Sequence, residues 1–144
     1  MQYKLGVNNE IKISEDRKVI YTISAQHRGH RQYKSNWSIR MYQEVNLFID
    51  ALTNEYEDTY TAWNLKVDSD NNVCVIGKSD DGHELKIAKF IDSDKKEWWH
   101  GYPAHYVKNI QDIPPAKILL DWQKKGYITT ATMKKIKGGQ PCNL

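Results

Sequence analysis

Long apolar runs are missing from this 144-residue chain, and no stretch approaches the ~20 residues that a helix needs to cross a bilayer. The opening residues, Met-Gln-Tyr-Lys-Leu-Gly, carry no signal-peptide apolar core, so a cytoplasmic location and no membrane partner are expected. Cysteine is nearly absent. Cys74 and Cys142 cannot build a disulfide scaffold, and Cys142 follows a proline close to the chain end, a poor position for a supported nucleophile. No glycine-rich phosphate loop, nucleophile elbow or dinucleotide fingerprint occurs, which excludes the enzyme classes those motifs define. Repeats and low-complexity tracts are absent too. One compact domain over residues 1–144 is therefore expected.

Periodicity supplies the elements. Ile11 and Ile13, a polar Glu15-Asp16-Arg17 turn, then Val19, Tyr21 and Ile23 read as a β-hairpin over Glu10 to Ser24. From Ser38 to Thr53 the spacing becomes helical, with Met41, Val45, Phe48 and Leu52 on one face and Ser38 as the expected cap. Thr61 to Val67, Val73 to Lys78 and His83 to Ile91 are separated by Asp/Asn/Gly-rich turns and read as a three-stranded antiparallel meander. Pro114-Pro115 open a second helix that Gly126 ends, and a third runs from Thr129 or Thr130 to Lys137. The predicted fold is α+β: an antiparallel sheet of hairpin plus meander, packed by one central helix and two short C-terminal helices.

The densest chemistry lies in Glu97-Trp-Trp-His-Gly-Tyr-Pro-Ala-His-Tyr106. Gly101 and Pro103 argue for a loop, because glycine loosens the backbone and proline removes a donor. On extended backbone the adjacent Trp98 and Trp99 would face opposite ways, one as a buried anchor and one free to stack. Trp98, Trp99 and Tyr102 are the candidate stacking residues. His100 and His105 are the candidate acid–base pair, with His100 expected nearer the principal pocket.

Gln26 to Lys34 concentrates cationic side chains around Gly29, and Arg28 and Arg31 are candidate phosphate contacts. Lys134, Lys135 and Lys137 extend the basic set on the last helix. The two C-terminal helices are also compatible with a helix-turn-helix, and equally with a helical hairpin capping the sheet. His27 and His30 have a ligand-like gap, but no further ligands complete a zinc set, so no metal and no cofactor is expected. Net charge is only +3, from 21 Lys and Arg against 18 Asp and Glu, so clustering rather than total charge carries the argument.

These features lead to the expectation of a small cytoplasmic binding protein whose partner is RNA or other single-stranded nucleic acid. Its enzymatic version is a metal-independent ribonuclease. The alternative is a protein–protein interaction module, such as an immunity protein, antitoxin or phage-encoded inhibitor, docking through Trp98, Trp99 and Tyr102.

Overall fold

Alternating apolar residues fold the N-terminal segment into a hairpin of β1 (Asn8–Ser14) and β2 (Arg17–Thr22), with Val19 and Tyr21 buried. The computed structural model describes residues 3–144. Met1 and Gln2, which open the segment read for a signal peptide, lie outside them. β3 (Asn36–Trp37), α1 (Met41–Thr53), β4 (Glu57–Asp58), β5 (Thr61–Leu65), β6 (Gly77–Lys78), β7 (Glu84–Leu85), β8 (Ile87–Ile91) and β9 (Trp98–Ala104) follow. α2 (Ala116–Lys124) and α3 (Thr130–Lys137) complete the order. The fold is α+β, as expected, with a six-stranded sheet β1-β2-β9-β8-β5-β4 and a three-stranded sheet β3-β6-β7. Among the described residues no helix is long and apolar enough to cross a membrane.

The larger sheet is mixed rather than antiparallel throughout, because β2 and β9 pair in parallel through Ile20–Trp98 and Tyr21–Trp99. The meander is also rearranged. β5 pairs directly with β8 over five residue pairs, while the run Val73 to Lys78 contributes only β6, to the other sheet. Local turns do bring these runs back antiparallel, β6 pairing with β7 as expected, but β6 also pairs with β3, far upstream, and the run His83 to Ile91 divides between the two sheets. Gly77 permits this layering: a Cβ there would meet Asn36 O at 2.5 Å and Pro103 Cβ at 2.7 Å.

The aromatic segment expected as a loop is the central strand β9, flanked by β2 and β8. Its breakers have long-range reasons. A Cβ on Gly101 would run into the Phe90 ring and stand 2.8 Å from the Tyr21 hydroxyl, so only glycine lets these rings close over the strand. Pro103 lies beyond the two residues that β2 pairs, where β9 faces no further ladder partner on that side.

α1 lies on the face carrying Tyr21, Phe90 and Trp99. The Phe48 ring centroid is 4.7 Å from that of Tyr21, 5.4 Å from Phe90 and 5.5 Å from Trp99. Val45, Phe48 and Leu52 are buried as their spacing requires, with Met41 partly buried at the edge. Ser38 does not cap this helix: its N–H pairs with Ile76 O at 2.9 Å, and Arg40 takes the cap position, its N–H held by Gln43 Oε1 at 2.9 Å. On the same apolar face stands Glu44, at 0% exposure. Tyr21 donates its hydroxyl to Glu44 Oε2, and Arg28 donates Nη2 to Oε1 at 2.8 Å. The buried carboxylate is thus satisfied at both oxygens, which a charge in the core requires. α2 and α3 add Ile118, Leu119, Trp122 and Ile136 to the core.

Candidate nucleic-acid interface

Alternation along β9 sorts its side chains onto two faces. Trp99, Gly101 and Pro103 turn toward α1 and the small sheet; Trp98, His100 and Tyr102 stand on the opposite face. Trp98 is 50% exposed and Trp99 1%. Successive members of the outer row are about 6.6–6.8 Å apart along an extended strand. The turn before Trp98 is built by Asp92, whose carboxylate accepts from Lys96 N at 3.1 Å, Glu97 N at 2.8 Å and Trp98 N at 3.3 Å. Arg17 anchors the same corner, forking onto Glu57 at 2.8 and 2.9 Å while reaching Glu97 Oε2 at 2.7 Å.

Tyr102 closes the row and opens a buried polar network. Its register partner on β8 is Lys89, whose partner on β5 is Trp63. Lys89 Nζ donates to Asp112 Oδ1 at 3.1 Å and to Gln111 O at 2.6 Å, and lies 5.7 Å from the Trp63 ring centroid. Asp112 also accepts the Tyr102 hydroxyl at 2.7 Å and the His105 backbone N–H at 3.0 Å. Burial, with the Asp112 bond, pushes the Tyr102 hydroxyl well above its usual range, so it acts only as a neutral donor.

A cleft of about 290 Å³ lies beside Tyr102, walled by His27, Tyr33 and Lys34 from the basic loop and by His105, Lys108 and Asp112 from the chain after β9. His27 stacks on Tyr102, with centroids 5.1 Å apart and planes 22° from parallel. Its Nδ1 is 2.9 Å from Ser35 O; a carbonyl only accepts, so Nδ1 carries the proton and the neutral ring keeps its lone pair on Nε2. Burial holds His27 below its usual range, helped by the charges of Lys34 and His100 and opposed by the Ser35 carbonyl and Asp112. Burial also lowers His100, against the pull of Asp94. His105 is likewise lowered by burial and by His83 and Lys108, against Asp81 and Asp112. Tyr33 stands at the rim, 80% exposed.

No known protein family, characterised protein or solved structure matches this chain.

The structure brings the basic loop and the aromatic segment together and redistributes their members. His105 lines the cleft and His100 does not, the reverse of the expected order. The two are not brought together as a pair, because β9 is extended as far as Ala104 and four strand steps span about 13 Å. His27 and His105 are the imidazoles that share the cleft. His30 does not line it; it stands exposed in the loop with φ 58°.

Arg28 is a core residue in effect: Nε and Nη2 reach Glu44 at 3.2 and 2.8 Å, and Nη1 reaches Ile39 O at 2.9 Å. Its side chain is 13% exposed, so the fork expected to hold phosphate already holds a carboxylate. Arg31 remains exposed in the loop. Lys134, Lys135 and Lys137 are exposed on α3 and line neither this cleft nor a second cavity, of about 360 Å³, that His83, His105, Tyr106 and Cys142 border.

Sequence reasoning passed over Lys89, Lys108 and Asp112, and took in Tyr33 only as part of the Gln26 to Lys34 segment. Lys108 carried a weak signal, a cation close after the aromatic segment. Lys89 and Asp112 carried none, since each looks like an ordinary surface charge until its partner is known.

Proposed function

We propose that the protein binds single-stranded nucleic acid, RNA before DNA, in the cytoplasm, along the outer row of β9 and into the adjoining cleft. The observation that carries this reading is the convergence of the two segments with the right chemistry. Trp98 and His100 lead along one strand to Tyr102, whose ring already carries His27, and the basic loop with Lys34, together with Lys108, continues the row. A sheet face with aromatic residues at alternate positions can take successive bases, as strand-borne aromatics do in other single-strand readers. Each stacked base contributes about 1–3 kcal/mol by alanine substitution, and every base has a π-face, so weak sequence preference is expected. Lys34, Lys108 and the nearby Arg31 supply the phosphate contacts.

The test is titration of a fluorescent single-stranded RNA at several salt concentrations. With two or three neutralised phosphates, log K should fall against log[salt] with a slope near −0.7 per contact, about −1.4 to −2.1 in all. Replacing Lys34 and Lys108 with Ala should remove about 1.4 of that slope. A slope near zero would reject the reading.

One observation favours a second reading. Trp98 is half-exposed beside its parallel neighbour Ile20, the kind of aromatic anchor that dominates protein interfaces. A protein partner held by Trp98 would be insensitive to salt.

A further inference from the structure

We propose that the cleft is a metal-independent RNA-cleaving centre in which His27 Nε2 takes the proton of a ribose 2′-hydroxyl. The inference rests on the RNA-binding reading and adds a reaction to it. A general base needs a lone pair held in a defined direction. His27 has both requirements from the fold: Ser35 O fixes the tautomer at 2.9 Å, and the stack on Tyr102 fixes the ring plane. His105 reaches the same cleft and its backbone is tied to the same unit, since Asp112 accepts the Tyr102 hydroxyl on Oδ1 and the His105 backbone N–H on Oδ2. One carboxylate thus holds both the Tyr102 ring on which His27 stacks and the His105 backbone, and Lys34 and Lys108 line the same cleft.

The step balances without water, metal or redox partner. His27 Nε2 removes the 2′-hydroxyl proton as the 2′-oxygen bonds to phosphorus. The bond from phosphorus to the 5′-oxygen breaks, and that oxygen takes a proton from the His105 imidazolium. The products are a 2′,3′-cyclic phosphate and a 5′-hydroxyl. The ammonium groups of Lys34 and Lys108 meet the charge that grows on the non-bridging oxygens.

The pH dependence follows from what faces each ring. His27 meets Lys34, His100, Tyr102, Asp112 and the Ser35 carbonyl; His105 meets Asp81, His83, Lys108 and Asp112. The base works above its pKa and the acid below its own. Both are held below 6.5, so the rate should peak at a pH below 6.5.

The experiment incubates an end-labelled single-stranded RNA with the protein in EDTA, resolves the products, and measures binding of the same RNA and its 2′-deoxy counterpart in parallel. The expected result is cyclic-phosphate ends from RNA, none from the deoxy strand, and an acidic optimum. His27→Ala, purified identically, should cut the rate by about 10²–10⁴-fold, with partial recovery in added imidazole. If circular dichroism shows that His27→Ala does not fold, His105→Ala carries the test by losing the alkaline limb of the profile. RNA that binds but stays intact, or cleavage equal in the parent and the folded variant, overturns the inference and leaves the binding reading standing. RNA that does not bind overturns both.

Discussion

Arg28→Ala tests how the basic loop is attached to the core. Glu44 has no exposed surface, its Oε2 is taken by Tyr21, and its Oε1 depends on Arg28. Removing the guanidinium strands a buried carboxylate, a change that costs about 3–5 kcal/mol. Against a total stability of about 5–15 kcal/mol this is severe, and at roughly 3 °C per kcal/mol for a chain of this size Tm should fall by about 9–15 °C. Burial already raises Glu44 above the ordinary carboxylate range, opposed by its bonds to Tyr21 and Arg28 and by the Arg28 charge. Loss of Arg28 removes two of those opposing influences and drives the group higher. A carboxylate whose folded pKa exceeds its unfolded value stabilises the fold when protonated, and that contribution is lost as pH rises through the folded pKa. The deficit of Arg28→Ala should therefore narrow on going from pH 8 toward pH 5, and adding Glu44→Gln should recover much of it at neutral pH. Urea unfolding followed by tryptophan fluorescence measures both. A loss under 1 kcal/mol, or a deficit independent of pH, would refute the buried-pair argument.

Two further substitutions probe the packing around β9. Phe48→Ala, at a fully buried ring among Tyr21, Phe90 and Trp99, should cost about 3–5 kcal/mol by urea unfolding; under 1 kcal/mol would mean that α1 does not face this sheet. Gly101→Ala should cost about 1–3 kcal/mol, because its Cβ meets the Phe90 ring and the Tyr21 hydroxyl, and an unchanged Tm would contradict β9 as a central strand.

What could be read from the sequence was local. Ile11, Ile13, Val19 and Tyr21 alternate across a polar turn, so the hairpin was legible, and the spacing of Val45, Phe48 and Leu52 gave α1 and its buried face. β9 was hidden because Gly101 and Pro103 act locally as breakers. Their justification, the Phe90 ring and the end of the β2 ladder, lies elsewhere in the chain. Glu44 was hidden for the opposite reason: a charge on an apolar helix face looks misplaced until Tyr21 and Arg28 close on it. The site followed the same division. The aromatic and basic segments could be picked out by composition alone. Arg28 could not be told from Arg31 by residue type, yet one holds the core together and the other is exposed. The tautomer of His27 depends on Ser35 O, and its ring plane on Tyr102, contacts that no local spacing encodes.

The central claim is that the outer row of β9 stacks bases, and Trp98 tests it most directly because it is exposed while its neighbour Trp99 is core. Anisotropy titration of a single-stranded RNA against the parent and Trp98→Ala, each first shown to melt at the same temperature, should give a loss of about 1–3 kcal/mol, or roughly 5- to 150-fold in Kd. Equal affinity in the two proteins, or no binding by the parent at low salt, would contradict the account.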